Sequence, residues 1–327
     1  MPTPPAATAG ALSGPLTRPA CHLSIVVPVY KAEGTIQPLC DRLIEAAGAI
    51  TPDFEILLVE DCGGDRSWDL IEAQSRRDPR IRGIQLSRNF GQHAATLCGI
   101  GEARGRWIAT LDCDLEQRPE DLATLYAKAQ EGFDLVYGIF PARSHSLWRN
   151  WTSELARFMF RVAIPSLNYE YTSFRLINGR LARALTDFNA PFPFVDGYLS
   201  WVCNRYATVV VSHDDRAEGE STYTFRKLIT HTINIFVTFS DLPLKFATWI
   251  GLLAFTVGGI MTLAIVMQRL LGGITVSGYA SLMAGLVSFG GLQLLVLGIF
   301  GEYLSRINFK TSKKPLYLVS KNAGDHR

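Results

Sequence analysis

The stretch Trp107–Glu116, with the sequence WIATLDCDLE, joins a short apolar run to three carboxylates. The apolar run predicts a buried strand, and the acidic residues would follow at its C-terminal end, where open α/β sheets bind ligands. An extended chain would point Asp112, Asp114 and Glu116 roughly the same way. Converging carboxylates need a cation, and hard oxygen ligands suit Mg²⁺ or Mn²⁺. Two interpretations stay open: a metal site that also binds a substrate phosphate, or an acidic turn before a helix that starts at Pro119.

Strands and helices alternate on both sides of this stretch. Short apolar runs predict strands at Leu23–Val29, Phe54–Val59, Ile81–Leu86, Trp107–Leu111, Asp134–Gly138 and Tyr206–Val211. Helical periodicity predicts helices at Thr35–Ala49, Ser67–Arg76 and Ala94–Ala103. Because the runs do not alternate with period two, they are typical of strands covered on both faces. The pattern predicts an α/β fold with a mostly parallel, doubly wound sheet.

The composition changes in the C-terminal part of the chain. Two uncharged apolar runs, 246–267 and 274–300, are about 22 and 27 residues long, and each could cross a bilayer as a helix. They predict a two-helix transmembrane hairpin within 244–304, with a buried hairpin in a soluble core as the alternative. Segment 225–243 mixes aromatic and basic residues, which predicts an amphipathic helix in the membrane interface or a plain connector.

Basic residues flank the hairpin on one side. They are Arg226, Lys227 and Lys245 before it and Arg306, Lys310, Lys313 and Lys314 after it, whereas the loop between the spans holds only Arg269. The positive-inside rule therefore places the N-terminal domain and both termini in the cytoplasm, in an integral membrane protein. Segment 1–21, rich in Pro, Ala and Thr, predicts a disordered tail, and 305–327 a cytoplasmic tail.

Charge and cysteine content exclude some classes of function. The net charge of +2 is too mild to indicate nucleic-acid binding, for which a clustered basic face would be expected, so nucleic acid is not an expected partner. The six cysteines form no CxxC pair, which predicts reduced cytosolic thiols rather than disulfides or a zinc site.

Two further acidic loops follow the first and second predicted strands. Tyr30 and Glu33 follow the first strand, and Glu60 and Asp61 follow the second. In a parallel sheet both loops would lie at the same edge as Asp112. A nucleotide fits there, with carboxylates accepting hydrogen bonds from a base or ribose and Tyr30 packing near the ring.

Several motifs, taken in order from Leu23 to Leu318, resemble the family 2 glycosyltransferases of the GT-A, Rossmann-like fold. The motifs are Pro28-Val29-Tyr30, Glu60-Asp61-Cys62-Gly63, Leu86–Gly91, Asp112–Glu116, Ser173–Leu176, Gly219–Tyr223 and Leu297–Leu304. More narrowly, the chain resembles the membrane-anchored polyprenyl-phosphate glycosyltransferases, a group with dolichol-phosphate mannose synthase, GtrB and ArnC. The resemblance implies a GT-A domain over 22–224, followed by the transmembrane hairpin.

The resemblance also implies roles for individual residues. Residues implied to bind the nucleotide sugar are Pro28, Tyr30, Glu33, Glu60, Asp61 and Asp112. Asp114 would ligate the metal, with Glu116 and Asp112 as further ligands. Arg149, Ser153 and Arg216 would bind the acceptor phosphate, because arginine pairs well with phosphate oxygens. Asp112, Asp114 and Arg149 would be the catalytic residues.

The implied activity is an inverting transfer of one sugar from a nucleotide-diphosphate sugar, expected to be UDP-linked, to a polyprenyl phosphate. The reaction would use Mg²⁺ or Mn²⁺ at the cytoplasmic face of the cell inner membrane and give a lipid-linked monosaccharide for the cell envelope. Membrane lipid is an implied partner, and relatives in this group often form homo-oligomers. The chain departs from the group at Ser173, where an acidic residue is usual. Because a phosphate monoester is largely dianionic at neutral pH, the acceptor needs little deprotonation.

Two alternatives remain from the sequence. One is a processive polysaccharide synthase, which is disfavoured because Arg106-Trp107 has Ala103 where a Gln-x-x-Arg-Trp motif needs Gln. The other is an inactive membrane scaffold that binds nucleotide sugar or lipid, against which the retained Asp112, Asp114 and Arg149 argue.

Overall fold

A computed structural model describes residues 21–140, 170–188, 190, 192–212, 242–271, 278–312 and 314–324. The strands are β1 Cys21–Val29, β2 Phe54–Glu60, β3 Ile81–Leu86, β4 Gly105–Thr110, β5 Leu135–Ile139, β6 Arg175–Asn178, β7 Tyr206–Val210 and β8 Val319–Ala323. The α-helices are α1 Ile36–Ile50, α2 Ser67–Arg77, α3 Gln92–Glu102, α4 Leu122–Gln130, α5 Gly179–Ala184, α6 Val195–Val202, α7 Leu242–Leu270 and α8 Tyr279–Thr311. Short 3₁₀ turns at Pro119–Asp121 and Leu185–Asp187 adjoin α4 and α5.

The described strands form one eight-stranded sheet in the order β7-β5-β6-β4-β1-β2-β3-β8. Its central strands β4, β1, β2 and β3 are parallel to one another, and β5 is parallel to β7. Strand β6 is antiparallel to both β4 and β5, and β8 is antiparallel to β3. The predicted parallel arrangement is confirmed for the centre, whereas the flanks make the sheet mixed.

The central strands lie between two hydrophobic layers. In β1, Ile25 and Val27 pack into the layer that contains α1, while Val26 packs into the layer that contains α3. Because both faces are covered, β1 is buried from Leu23 to Val29. Burial of each such aliphatic side chain contributes roughly 1.5–3 kcal/mol, which explains why these runs form strands without polar alternation.

The register brings the strand ends to one edge of the sheet. Val29 at the end of β1 pairs with Glu60 at the end of β2, and Val26 pairs with Thr110 at the end of β4. The Asp61 N–H donates to the Val29 carbonyl at 2.9 Å. The loops after β1, β2 and β4 therefore meet at one edge, as the sequence predicts.

Two strands were not predicted. Strand β6 is short and begins with a buried arginine, Arg175. Strand β8 comes from segment 305–327, which was predicted only as a cytoplasmic tail, and it adds to the domain's sheet beside β3. Its sequence, VSKNA, lacks the apolar run that marks the central strands.

Helices α7 and α8 are 29 and 33 residues long and contact each other. The run 246–267 lies within α7, and residues 279–300 of the second run lie within α8. Within the part of the chain that the structure describes, no helix is both long enough and apolar enough to cross a membrane. Segment 225–241 and residues 1–20 lie outside the described ranges.

Candidate active site

A cavity of about 300 Å³ opens at the C-terminal edge of the sheet. Its walls come from the start of α3, the ends of β1 and β4, the start of β6 and the start of α6. Polar side chains in its lining include those of Gln92, Thr110, Asp112, Ser173, Arg175 and Asp196. The predicted residues Pro28 and Asp112 both line this cavity.

Asp112 is held by three side chains from distant parts of the chain. Gln92 donates from Nε2 to Asp112 Oδ1 at 2.6 Å. Ser173 donates from Oγ to Asp112 Oδ2 at 2.6 Å, and Gln117 donates from Nε2 to the same oxygen at 3.1 Å. A carboxylate has about four acceptor positions, so these three contacts fix the orientation of Asp112 and leave about one position for a further partner.

The Asp112 network is closed on itself. Gln117 accepts a hydrogen bond from the Asp112 backbone N–H at 2.9 Å and also donates to the Ser173 hydroxyl at 2.6 Å. Burial raises the pKa of Asp112 to about 6, with the Ser173 hydrogen bond opposing the rise and the Asp114 charge adding to it. The side chain is therefore a positioned acceptor in a partly desolvated site.

The chain turns immediately after Asp112. Leu115 has φ 64°, in the left-handed region, and the Asp114 carboxylate accepts from the Glu116 N–H at 3.1 Å. The segment from Asp112 to Glu116 is therefore a turn, not the extended chain on which the predicted common direction of its three carboxylates was based. Over the described ranges, no group of three or more His, Cys, Asp or Glu side chains is arranged to hold a metal ion. The metal-binding roles of these residues stay predictions.

The wall beneath Ser173 contains a buried ion pair. Arg175 donates from a terminal nitrogen to Asp196, and its Nε donates to the Thr110 hydroxyl at 3.0 Å. The Tyr137 hydroxyl also donates to Asp196 at 3.0 Å. Breaking such a pair leaves an uncompensated buried charge, which costs about 3–5 kcal/mol. The pair thus fixes β6 and α6 against the sheet and shapes the cavity floor.

An aromatic wall faces these polar groups. The Phe194 ring packs edge-to-face on His93, with centroids 5.4 Å apart, and on Tyr171, with centroids 5.7 Å apart. All three residues line the cavity. His93 is the second residue of α3, and its ring belongs to this wall. The cavity combines an apolar face with several hydrogen-bonding groups.

The acidic loops predicted to bind a nucleotide hold the sheet edge together. Asp61 accepts from the N–H groups of Phe90 and Gly91, each at 2.7 Å. Glu60 accepts from the Gly63 N–H at 2.6 Å and from Gln85 at 3.0 Å. Burial raises the pKa of Asp61, and the two backbone hydrogen bonds oppose that rise.

The loops after β1 and β2 contact each other. Glu33 accepts a hydrogen bond from the Arg66 N–H at 3.2 Å. The two loops are so close that a β-carbon added at Gly63 would lie 2.8 Å from the backbone nitrogen of Lys31. Tyr30 is 46% exposed beside these loops. The nucleotide-binding roles of Tyr30, Glu33, Glu60 and Asp61 stay predictions.

Some residues of the site were not predicted from the sequence, and some predicted residues lie outside the part of the chain that the structure describes. Arg149, Ser153 and Arg216, predicted to bind the acceptor phosphate, lie outside the described ranges. Gln92 and Gln117 were missed as partners of Asp112. Gln92 begins α3 and Gln117 lies in the loop between β4 and Pro119, and polar residues of many kinds occupy such positions.

Comparisons with known proteins identify similar chains. Residues 24–191 match the family model Glycosyl transferase family 2. The chain is 32% identical over 303 residues to the glycosyltransferase YkcC of Bacillus subtilis, covering 92% of this chain and 94% of YkcC. It is 30% identical over 303 residues to the undecaprenyl-phosphate 4-deoxy-4-formamido-L-arabinose transferase of Pseudomonas paraeruginosa, covering 91% and 89% of the two chains.

Solved structures are more distant. Glucosyl-3-phosphoglycerate synthase from Mycobacterium tuberculosis, in complex with Mn²⁺ and UDP-glucose, is 16% identical, with a TM-score of 0.49 over 67% of this chain and 78% of that chain.

Proposed function

The chain belongs to glycosyl transferase family 2 and is a glycosyltransferase, and from that premise we propose that it transfers one sugar from a nucleotide-diphosphate sugar to a polyprenyl phosphate. The observation that carries the proposal is the cavity at the sheet edge, where the Asp112 carboxylate is fixed by three side chains. A relative aligned over 89% of its length is named as a transferase that acts on undecaprenyl phosphate. Undecaprenyl phosphate is therefore the proposed acceptor.

The cavity is the proposed place of the donor sugar. Its volume of about 300 Å³ lies at the lower end of the range for small-molecule sites. A sugar ring has hydroxyl groups along its rim and C–H groups on its faces. The hydroxyls of a bound ring would meet Asp112 and Ser173, and a C–H face would meet the wall formed by Phe194 and Tyr171. The nucleotide, proposed to be UDP, would lie along the loops that carry Tyr30 and Asp61.

The turn that carries Asp114 and Glu116 offers the type of ligand that a divalent cation needs. Asp114 and Glu116 are half-buried carboxylates that follow the fixed Asp112, and carboxylate oxygens are the ligands that Mg²⁺ and Mn²⁺ prefer. Such ions bind through one or two carboxylates and complete their shell with water and substrate phosphates, so a cluster of three protein ligands is not required. The bound ion would neutralise charge on the departing diphosphate.

The acceptor supplies its own nucleophile. A phosphate monoester has a second pKa of about 6 and is mostly dianionic at neutral pH, so no strong base is needed in the cavity. Ser173, which stands where a carboxylate is usual in this group, is a donor to Asp112 and cannot act as that base. We propose one in-line displacement that inverts the anomeric carbon, with Arg149, Ser153 and Arg216 binding the acceptor phosphate.

The uncharged runs 246–267 and 274–300 are proposed as a membrane hairpin that keeps the cavity near the lipid headgroups. Large apolar side chains on the long helices are exposed, among them Phe246, Trp249 and Leu294. A large exposed apolar surface is typical of a site that binds a membrane or another protein. The basic flanks support a cytoplasmic position for the catalytic domain and both termini.

The test is transfer by the full-length protein in membranes that contain undecaprenyl phosphate. Radiolabelled UDP-sugars and GDP-sugars are supplied one at a time with Mg²⁺ or Mn²⁺, and the lipid extract is separated by chromatography. We expect one UDP-sugar to give a lipid-linked monosaccharide. A long polymer would instead indicate a processive synthase, and the absence of any product with every donor would overturn the transferase proposal for this acceptor.

A further inference from the structure

The chain returns to the catalytic domain after α8. Residues Leu316–Ala323, here called the C-terminal strap, include β8, which pairs with β3 at the edge of the sheet. Only the short connection from Ser312 separates the end of α8 from the strap. The strap therefore joins the end of a long helix directly to the domain that contains the cavity.

The strap is packed on the layer that contains α3. Leu316, Tyr317 and Val319 contact this hydrophobic layer. The Tyr317 hydroxyl contacts the Cys98 thiol, and burial raises the pKa values of both groups to about 12. A β-carbon added at Gly101 would lie 3.4 Å from the same hydroxyl, so the Tyr317 side chain also packs beside Gly101. Tyr317 thus anchors the strap to the C-terminal half of α3.

The strap also holds the loop that leads into α3. The Ser87 N–H donates to the Leu318 carbonyl at 2.8 Å. The other end of this loop is held by Asp61, which accepts from Phe90 and Gly91. Phe90 packs against the same layer as the strap. The loop 87–91 is therefore fixed between the strap on one side and a buried carboxylate on the other.

The first residue after this loop reaches the site. Gln92 opens α3 and donates to Asp112 at 2.6 Å, and His93 and Thr96 line the cavity from the same helix. A continuous set of contacts runs from Leu318 through Ser87 and the loop to Gln92 and Asp112. Movement of the strap would change the position of the helix that forms one wall of the cavity.

We propose that the C-terminal strap is a positioning element for the donor site, with Tyr317 as its anchoring residue. It sets the loop 87–91 and α3 so that Gln92 holds Asp112 in the orientation that binds the donor. Because the strap continues from α8, it also sets the catalytic domain relative to that helix. The expected change in donor KM rests on the proposed function. The expected effect on the loop 87–91 rests only on contacts within the domain.

The experiment compares Tyr317→Ala with Ser320→Ala in the full-length protein in lipid membranes. Ser320 is an exposed residue of the same strap, so its variant is the matched control. We expect Tyr317→Ala to raise the donor KM about tenfold, since small misplacements of positioning groups have effects of this size or larger, and to leave the acceptor KM within about twofold. A purely structural loss would lower the amount of active enzyme with both KM values unchanged, and that result would overturn the proposal.

Two further measurements separate the failure of this inference from that of the proposed function. Tyr317→Phe keeps the ring and removes only the hydroxyl, so it should fold and shift the donor KM in the same direction by a smaller factor. If the wild-type protein transfers no sugar, the role of the strap can still be tested by hydrogen exchange of the backbone amides of residues 87–91 in the unliganded protein. Faster exchange in Tyr317→Ala than in Ser320→Ala supports the strap, whereas equal exchange overturns it.

Discussion

The Ser173 hydroxyl donates a hydrogen bond of 2.6 Å to Asp112, a residue 61 positions earlier in the chain. The contact is made because β6, which follows Ser173, pairs antiparallel with β4, which precedes Asp112. Ser173, which stands where the resemblance leads us to expect an acidic residue, therefore fixes the orientation of the Asp112 carboxylate.

Ser173→Ala should lower kcat/KM for the donor about tenfold or more. The substitution removes a hydrogen bond to a charged group, which is worth about 1.5–3 kcal/mol, and leaves Gln117 without one of its partners. Initial rates at varied donor concentration measure the effect. Ser75→Ala is the matched control, because buried Ser75 in α2 donates only to the Glu72 carbonyl. An unchanged kcat/KM would show that Asp112 does not depend on Ser173.

Asp114→Asn should raise the Mn²⁺ or Mg²⁺ concentration needed for half-maximal activity. An amide is a weaker ligand than a carboxylate, and we expect an increase of more than about tenfold, since even groups that only support metal ligands have effects of this size. Activity is titrated with each metal after treatment with a chelator. Asp69→Asn, at an exposed position of α2, is the control. Identical metal titrations for both variants would remove Asp114 from the metal site.

Asp61 should make stability depend on pH in the direction opposite to that of a salt-bridged carboxylate. Burial raises its pKa above the ordinary value of 3.8 in the folded state, so the folded protein binds more protons than the unfolded chain just above that pH. Its contribution to stability therefore falls as the pH rises from about 3.9 through the folded pKa, and is level at higher pH.

The comparison for Asp61 is the neutral variant Asp61→Asn. The melting temperature of the wild-type protein, relative to that of the variant, should decrease between mildly acidic and neutral pH. The variant also loses one acceptor for the N–H groups of Phe90 and Gly91, so the change with pH, rather than the offset, is the test. A relative melting temperature that rises with pH would contradict the burial argument.

Cysteine labelling of the folded protein should distinguish Cys62 from the other five thiols. All six cysteines are free, and Cys62 is the exposed one. Burial raises the pKa of Cys40 and of Cys98 to about 12, which removes the reactive thiolate. We expect one fast-reacting thiol with a maleimide, located by peptide mapping and absent in Cys62→Ser. Because Cys62 follows Glu60 and Asp61, the donor nucleotide should slow its labelling. Fast labelling of Cys98 would contradict the packing described for α3.

The central fold could be predicted from the sequence because its strands are buried on both faces. Runs such as Ile25–Val29 and Phe54–Val59 carry no polar alternation, and this signal is local. Strands β6 and β8 carry no such signal. Arg175 can lie in β6 only because Asp196 and Thr110 receive its guanidinium, and neither partner can be read from local pattern.

The candidate site divides in the same way. Asp112 was predicted because acidic residues after an apolar run mark a strand end, and the cavity lies there. The extended conformation expected for Asp112–Glu116 was wrong because the chain turns there, with Leu115 at a left-handed φ that alternation along a strand cannot anticipate. Gln92 and Gln117 were missed because their role depends on hydrogen bonds across the fold rather than on residue type.

Strand β8 also bears on solubility. Without β8, the edge of β3 would carry unpaired backbone groups beside buried Ile84 and Leu86, and an uncovered strand of this kind is a template for pairing with another chain. In the intact protein β8 covers it with a short strand whose outer residues, such as Ser320 and Lys321, are polar and exposed. A protein shortened at the end of α8 should therefore aggregate through β3, and its inactivity alone would say nothing about catalysis.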